Sequence, residues 1–425
     1  MRNSSGMDIK LDHIGPIAQA KIRFGDLTVF TGHQATGKSI SLQLYKLLLD
    51  TGYIHQTLIN HGMDWSNDYN NFLDIYFGEG MHRIWEQDKS CVEWRGQKQD
   101  ISTLVRRQKR RKTEKLFYIP AQRVLALRDG WPRYFTDFSS ADPFVVRDFS
   151  EKLRILIDRE LIGSERLFPQ KRRLKEAIRN LLQESIYSQF QLGIDKIRSQ
   201  KRLVLTTGEN HDILPFMVWS AGQREFTPLL LGLYWLMPPT QSPRRGDIRW
   251  VVIEEPEMGL HPRAIEVVML LVLELLSRNY RVCLSTHCPQ VLEMVWAIRH
   301  MQKYPRKAHQ SLFQLFGLPK QSPAIRNIFE CIIGKKYHVY YFAKALDSGK
   351  QMVANVTVQD ISELNPFAED ERVVPWGGLL AFSERANRVV SQLASYDTNG
   401  STDTDNIDPS NEESVHNSEN ACTSG

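Results

Sequence analysis

The chain has 425 residues, of which 42% are apolar and 24% charged, so it is long enough to bury more than one structural unit. The formal net charge is +5, but residues 396–425 carry seven Asp or Glu and no Lys or Arg, so the rest of the chain is more basic than the total indicates. That segment is almost without apolar residues and is predicted to be a disordered acidic tail. The five cysteines show neither CxxC spacing nor an even framework, which excludes a disulfide scaffold and a zinc module.

A membrane protein and an exported protein are also disfavoured. The first fifteen residues lack the apolar stretch of an export signal. The most apolar helix-like stretch, residues 265–276, contains Glu266 and Glu274 and is too short to cross roughly 30 Å of hydrocarbon. We therefore expect a cytoplasmic protein that does not act at a membrane.

The first predicted elements are a strand, a glycine-containing loop and a helix. Residues 8–31 alternate between apolar and polar side chains. They end in the run Leu27–Phe30, which is typical of a buried strand. After Lys38 and Ser39, residues 40–49 have helical spacing of apolar side chains. We assign residues 1–51 to an N-terminal lobe.

Residues 52–215 are predicted to form a basic, α-rich insertion or arm. The segment contains the basic run Arg106–Lys112, a short strand at Leu116–Ile119 that Pro120 stops, and a mainly helical stretch at 143–200.

Alternating short strands and longer helices follow from residue 216. A strand is predicted at Ile248–Ile253, a helix at 262–277 and a second strand at Arg281–Ser285, which favours a parallel sheet flanked by helices. We assign 216–305 to a second lobe and 306–395, with the β-like run Tyr337–Ala343, to a small C-terminal α+β subdomain.

The loop between the first strand and helix carries the clearest motif in the chain. It matches GxxxxGK[ST] in full, with the residues Gly32, His33, Gln34, Ala35, Thr36, Gly37, Lys38 and Ser39. In such a loop the backbone N–H groups surround the phosphates of a nucleotide, the lysine reaches the terminal phosphates, and the serine hydroxyl binds Mg²⁺. A chance match in a glycine turn is the alternative, and the flanking strand and helix argue against it. ATP and Mg²⁺ are the predicted cofactors.

A pair of carboxylates ends the strand at 248–253. Successive side chains of a strand point to opposite faces, so Glu254 is predicted to enter the Mg²⁺ shell while Glu255 polarises the attacking water. A solvated acidic strand end is the alternative interpretation.

Together these segments resemble the ATP-binding-cassette superfamily, in the branch of SMC-like and OLD-like AAA ATPase heads known from bacterial anti-phage defence and toxin-type systems. Met258–Pro262 resembles the dimer-contacting loop of that branch. Ser220, Ala221, Gly222 and Gln223 resemble the signature that contacts the γ-phosphate. Leu284–His287 resembles the switch segment, with His287 as the switch histidine. Tyr118–Arg123 resembles the Q-loop segment, with Gln122 as the glutamine that senses Mg²⁺.

The resemblance covers residues 8–50, 116–130 and 215–300, and it implies an α/β P-loop NTPase head with a β-rich N-terminal lobe and a parallel core sheet. Two positions depart from the usual pattern, because Glu254 stands where many relatives have Asp and Ala221 where glycine is usual.

The resemblance also implies that two heads dimerise around two ATP molecules, each signature completing the site of the other copy. The predicted function is an ATP-hydrolysing switch that controls a separate effector such as a nuclease, because no second acidic cluster of the metal-nuclease kind follows residue 300.

Three other functions were weighed. A DNA-binding recombination or repair clamp is the main alternative, and its support is the basic runs Arg106–Lys112, Lys171–Lys175 and Lys196–Arg202. A catalytically silent ATP-binding subunit remains open because of Ala221. A transporter ATPase is disfavoured, because the long basic insertion and the loop after Glu255 differ from those of transporters.

Overall fold

The computed structural model describes most of the chain up to residue 363. The described ranges are 8–106, 112–161, 163–164, 166–197, 200–207, 212–239, 242–318, 322–344 and 355–363. All of them belong to one compact unit, Met1–Leu379. The predicted acidic tail at 396–425 lies outside the described residues, as do residues 107–111 of the first basic run.

A ten-stranded mixed sheet forms the centre of the fold. Its strands follow the order β5-β4-β1-β2-β16-β15-β3-β14-β13-β6. The bounds are β1 Asp8–Ile14, β2 Ile17–Arg23, β3 Leu27–Gly32, β4 Cys91–Trp94, β5 Gln97–Gln99, β6 Leu116–Ile119, β13 Trp250–Glu254, β14 Arg281–Ser285, β15 Tyr337–Lys344 and β16 Val356–Asp360.

Five neighbouring strands of this sheet, β15, β3, β14, β13 and β6, are parallel. Every residue of β3 and β13 is buried, which is expected of parallel strands covered on both faces and explains why their sequences are apolar runs rather than alternating patterns. The carboxyl ends of these strands meet at one edge of the sheet, where ligands bind in open α/β folds.

The position of β15 differs from the sequence-based expectation. Tyr337–Ala343 is a strand as predicted, but it does not belong to a separate subdomain. It pairs in parallel with β3, with Phe342 opposite Gly32, and β16 joins β15 to β2. The segment after residue 305 therefore supplies the strand next to the GxxxxGK[ST] loop.

In the described ranges, ten α-helices cover the sheet and its insertion. They are α1 Lys38–Asn60, α2 Tyr69–Phe77, α3 Ile101–Val105, α4 Phe144–Glu160, α5 Glu176–Leu182, α6 Ala221–Leu236, α7 Pro262–Ser277, α8 Pro289–Met301, α9 Pro305–Leu315 and α10 Pro323–Ile333. The expected boundary between residues 51 and 52 falls just after a kink in α1, because Asp50 leaves the helical conformation (φ −123°, ψ 18°) and the helix then continues. No helix in the described part of the chain is long and apolar enough to cross a membrane.

The insertion is not purely helical, which corrects the expectation of an α-rich arm. After α4 the chain forms a four-stranded antiparallel sheet in the order β12-β11-β10-β9. Its strands are β9 Arg166–Phe168, β10 Phe190–Ile197, β11 Gln200–Thr207 and β12 Ile213–Pro215. A separate small hairpin precedes them in the chain, with strands β7 Leu127–Arg128 and β8 Trp131–Pro132. Leu192, Leu203, Val204 and Leu205 are buried in it.

A buried cluster of charges joins α1 to β6 and α4. The Nζ of Lys46 donates to Asp50 Oδ2 at 3.0 Å, to Glu114 Oε1 at 2.8 Å and to the Leu116 carbonyl oxygen at 2.6 Å. Lys152 donates to Glu114 and to Asp148, on α4. The helix that starts at the GxxxxGK[ST] loop is thereby tied to the strand that ends at Ile119.

Candidate functional site

The loop between β3 and α1 lies at the carboxyl edge of the parallel strands. Gly32 has φ +130°, and a Cβ there would lie 2.5 Å from the carbonyl oxygen of Phe342. Gly37 has φ +87°, and a Cβ there would lie 2.8 Å from Ile17 Cγ1. Glycine is required at both positions because the backbone is left-handed and the neighbouring strands approach closely.

Lys38 is the first residue of α1 and is largely buried within the loop. Its Nζ donates to the carbonyl oxygens of Gly32 at 3.1 Å and His33 at 2.6 Å. Burial lowers the pKa of Lys38 to about 8, and the neighbouring carboxylates Glu255 and Glu254 act against that shift. The lysine of the motif is therefore held close to both carboxylates predicted from the sequence.

Glu254 ends β13 and is 2% exposed. Its Oε2 accepts a 3.2 Å hydrogen bond from the N–H of Ala121. Its Oε1 is buried and makes no hydrogen bond of good geometry with the described residues. Burial raises the pKa of Glu254, and the nearby hydroxyls of Ser39 and Tyr118 lower it in part.

This arrangement fits a divalent cation. Mg²⁺ in proteins is held by one or two side-chain oxygens together with water and substrate phosphates. An exposed Ser39 hydroxyl next to a buried carboxylate with an unpaired oxygen meets that requirement. Within the ranges the structure describes, no group of three or more His, Cys, Asp or Glu forms a metal cage of another kind.

Glu255 and His287 face each other next to this pair. The Oε1 of Glu255 lies 4.0 Å from Nε2 of His287. Burial and the charge of Lys38 lower the pKa of His287, and Glu255 acts against that shift. Glu255 adopts φ +44°, and its N–H donates to the Ser285 carbonyl oxygen at 2.9 Å, which ties the turn after β13 to the end of β14.

Glu257 lies behind this pair, and sequence reasoning gave it no role. Its Oε1 accepts hydrogen bonds from Thr286 Oγ1 at 2.7 Å and from the N–H of His287 at 2.8 Å. Its Oε2 is buried and has no hydrogen-bond partner among the described residues. The only signal for Glu257 in the sequence was its place as the fourth residue of the acidic run at 254–257.

Arg123 is a second residue that sequence reasoning missed. Its guanidinium is fully buried and donates to the carbonyl oxygens of Glu254 at 3.0 Å, Glu255 at 3.1 Å and Glu225 at 3.0 Å. Gln122, the predicted Mg²⁺ sensor, is exposed and lies next to Ala121, whose N–H reaches Glu254. The role of Gln122 itself stays a prediction.

The segment that resembles a signature starts α6. The Ser220 hydroxyl caps the helix by accepting the N–H of Gln223 at 3.2 Å, and the Gln223 side chain accepts the N–H of Ser220 in return. A Cβ at Gly222 would lie 3.1 Å from the Gly259 carbonyl oxygen, so the loop after the carboxylates packs tightly on the first turn of α6. Ala221 is exposed at this turn. In the described part of the chain, no hydrogen bond or ion pair joins this turn to the loop at 32–39.

Lys344 adds a cation that no motif predicted. It ends β15, two residues beyond Phe342, and its charge contributes to the lowered pKa of Lys38. The Tyr341 ring lies 6.4 Å from that of His33. Within the residues the structure describes, Lys344 has no ion-pair partner.

The basic runs proposed for DNA are partly occupied by internal ion pairs. Four of their side chains are bound in this way: Arg173 to Glu160 at 2.9 Å, Lys175 to Glu274, Lys201 to Asp158 at 3.0 Å and Arg202 to Asp195 at 3.1 Å. These pairs reduce the charge available for phosphate contacts.

A family model described as "AAA domain, putative AbiEii toxin, Type IV TA system" matches residues 18–293, which is more than half of the chain. The chain belongs to this AAA family. The match spans the loop at 32–39, the carboxylates at 254–255 and His287, so the prediction of an AAA-type ATPase fold is confirmed. A search of curated protein sequences finds no significant match.

Solved structures similar to this AAA protein include three SMC heads. A head bound to the C-winged helix domain of ScpA has 10% identity and a TM-score of 0.37, with 84% of this chain and 97% of that one covered. The head from Thermotoga maritima has 9% identity and a TM-score of 0.32, with 84% and 98% covered. A head with an extended coiled coil, bound to the C-terminal domain of ScpA from Pyrococcus furiosus, has 10% identity and a TM-score of 0.30, with 84% and 96% covered. All three likenesses are low.

Proposed function

We propose that this chain binds ATP with Mg²⁺ and hydrolyses it. The observation that carries the proposal is the convergence, at one sheet edge, of the Lys38 loop, the buried carboxylate Glu254 and the 4.0 Å pair Glu255–His287. Membership of an AAA family supports the same conclusion.

Each side chain has a distinct part in this proposal. The backbone of the loop and Lys38 hold the phosphates, and Ser39 and Glu254 hold Mg²⁺, with Gln122 beside them. The cation supplies neutralisation of phosphate charge when it is bound. Glu255 accepts a hydrogen bond from the attacking water and orients it, and His287 donates toward the phosphate on the other side of that water.

We propose further that a second copy completes the site with Ser220, Ala221, Gly222 and Gln223. In support, Ser220 is exposed at the start of α6, and the apolar residues just before it, Met217 and Val218, are 67% and 63% exposed. A helix N-terminus is well suited to a phosphate oxygen. A head-to-head dimer with two nucleotides would then form when ATP binds and separate after hydrolysis.

The third part of the proposal is that this cycle in the cytoplasm switches a separate effector, such as a nuclease, in anti-phage defence. The family's description names a toxin of a toxin–antitoxin system, which fits control of an effector. The alternative of a DNA clamp has weaker support, because Arg173, Lys175, Lys201 and Arg202 are held in internal ion pairs.

The test compares the wild type with Glu255→Gln, and with Glu330→Gln as a control at an exposed carboxylate on α10. Glu255→Gln should keep its affinity for ATP, lose hydrolysis by about 10²- to 10³-fold, and shift to dimer mass with ATP in light scattering. Glu330→Gln should match the wild type. A wild type that releases no phosphate would refute the enzymatic part, and a monomer in both states would refute the dimer.

The effector part has its own test. The purified chain with ATP and Mg²⁺ should leave linear DNA, circular DNA and RNA intact, because the nuclease lies in another protein. Degradation that persists in Lys38→Ala would contradict this part. DNA affinity that falls steeply with salt would favour the clamp instead.

A further inference from the structure

The third carboxylate of the acidic run, Glu257, is placed differently from the two before it. Glu254 ends the strand and Glu255 faces His287, whereas Glu257 turns toward the chain after β14. A single oxygen, Oε1, accepts both the Thr286 hydroxyl at 2.7 Å and the His287 N–H at 2.8 Å.

Those two donors lie at the point where the backbone leaves the sheet. Thr286 is fully buried, and its own N–H donates to the Phe30 carbonyl oxygen at 3.0 Å, next to the loop at 32–39. The hydroxyl of Thr286 also accepts the N–H of Cys288 at 3.0 Å. The turn that carries His287 is therefore fixed at its start by β3 and at its centre by the Glu257 carboxylate.

The other contact of His287 is with Glu255, through the imidazole ring. Without the Glu257 bond, the backbone N–H of His287 would lose its acceptor and the imidazole could swing away from Glu255. Because Glu257 reaches no atom of the loop at 32–39 by a hydrogen bond or ion pair in the described residues, its effect on that loop is indirect.

We infer that Glu257 is a positioning residue that holds His287 opposite Glu255. This inference rests on the proposed ATP hydrolysis. It assigns the three glutamates separate tasks: metal binding by Glu254, water orientation by Glu255, and placement of the switch histidine by Glu257. A glutamine at 257 keeps the accepting oxygen for both donors, whereas an alanine removes it.

The test is a double-mutant cycle of Glu257→Ala and His287→Ala, with Glu257→Gln as the conservative variant and Glu293→Ala as a control at an exposed carboxylate of α8. Glu257→Ala should lower kcat about 10- to 100-fold, with ATP affinity changed less than about threefold. Glu257→Gln should recover most of kcat. In the His287→Ala background, Glu257→Ala should cost less than about twofold, because residues that act as a unit are not additive. If the losses of kcat in the two single variants multiply in the double variant, the inference is overturned.

A second readout does not need hydrolysis. The imidazole NMR signal of His287, assigned by its loss in His287→Ala, should shift in Glu257→Ala and return in Glu257→Gln. An unchanged signal in Glu257→Ala would also overturn the inference. If the wild type hydrolyses no ATP, the proposed function fails, while the NMR result still decides whether Glu257 positions the histidine.

Discussion

The guanidinium of Arg123 donates a 3.0 Å hydrogen bond to the carbonyl oxygen of Glu254, which places a fully buried cation directly behind the carboxylate proposed to bind Mg²⁺. The same guanidinium reaches the carbonyl oxygens of Glu255 and of Glu225 in α6. One side chain therefore links the segment after β6, the turn after β13 and α6, the helix that Ser220 caps.

Replacing Arg123 with methionine should lower the free energy of unfolding by about 3 kcal/mol, because three carbonyl oxygens, one of them in the buried Glu254, lose their donor. ATP hydrolysis should fall further in this variant than ATP binding, since the turn that carries Glu255 loses its support. Urea denaturation and a phosphate-release assay measure the two effects. Arg128→Met, at an exposed arginine a few residues later, is the control and should lose less than about 0.5 kcal/mol.

The pH dependence of ATP binding should reflect the ionisation of the Lys38 side chain. Its pKa in the free protein is lowered to about 8, and bound phosphate favours the charged form, so the pKa rises on binding. Affinity should therefore be constant below about pH 7 and fall up to about tenfold per pH unit as the pH rises above 8. A fluorescent ATP analogue titrated between pH 7 and 9.5 measures this.

Lys38→Arg is the matched control for that titration, because arginine keeps its charge throughout the range. Its affinity for the analogue should be flat with pH even if it is weaker than that of the wild type. A wild-type curve as flat as that of Lys38→Arg would show that the ionisation of Lys38 does not govern binding.

Lys344 should contribute to nucleotide binding although it lies outside every motif. Tyr340 and Phe342 of β15 pack in the same core as Leu42 and Leu44 of α1, and alternation along the strand puts Lys344 on that face. Lys344→Ala should weaken ATP binding about three- to tenfold, with a larger loss at low salt than at high salt. Isothermal titration with ATP at two salt concentrations measures it.

The control for this variant lies at the other end of the same strand. Lys336 is exposed just before β15, and only its backbone groups hold the neighbouring Asp26 turn, so Lys336→Ala should bind ATP like the wild type. Equal affinities for ATP in the Lys344 and Lys336 variants would contradict a phosphate-binding role for Lys344.

The buried charge cluster around Lys46, which connects α1 and α4, should contribute strongly to the free energy of unfolding. Lys46→Met leaves Asp50 and Glu114 without their shared cation and should cost about 3 to 5 kcal/mol of unfolding free energy. Lys21→Met, at an exposed position of β2, should change the unfolding free energy by less than about 0.5 kcal/mol. Chemical denaturation followed by circular dichroism compares the two variants.

The residues that the sequence predicts for the site share one property: each belongs to a local sequence pattern. The loop at 32–39 sits between a buried strand and a helix, and Glu254 ends the strand that the apolar run at 248–253 predicts. Such patterns depend on neighbours a few residues away, and periodicity reports them directly.

The residues that the sequence does not predict depend on the order of strands in the sheet. Arg123 reaches Glu254 across 131 positions of the sequence, and Glu257 reaches His287 across 30. The position of β15 beside β3 is likewise a matter of topology, which no hydrophobic pattern specifies. The hairpin at 190–207 is defined by pairing between β10 and β11, which the predicted helical arm does not include.

The pairing of β3 with β14 and β15 also has a consequence during synthesis on the ribosome. β3 is buried throughout, yet its two neighbours begin at Arg281 and Tyr337. At translation rates of roughly 5 to 20 residues per second, β3 waits on the order of 15 to 60 s for its second partner. An incomplete chain thus carries the entire GxxxxGK[ST] sequence without the strand that pairs beside Gly32. We therefore expect nucleotide binding only after β15 has joined the sheet.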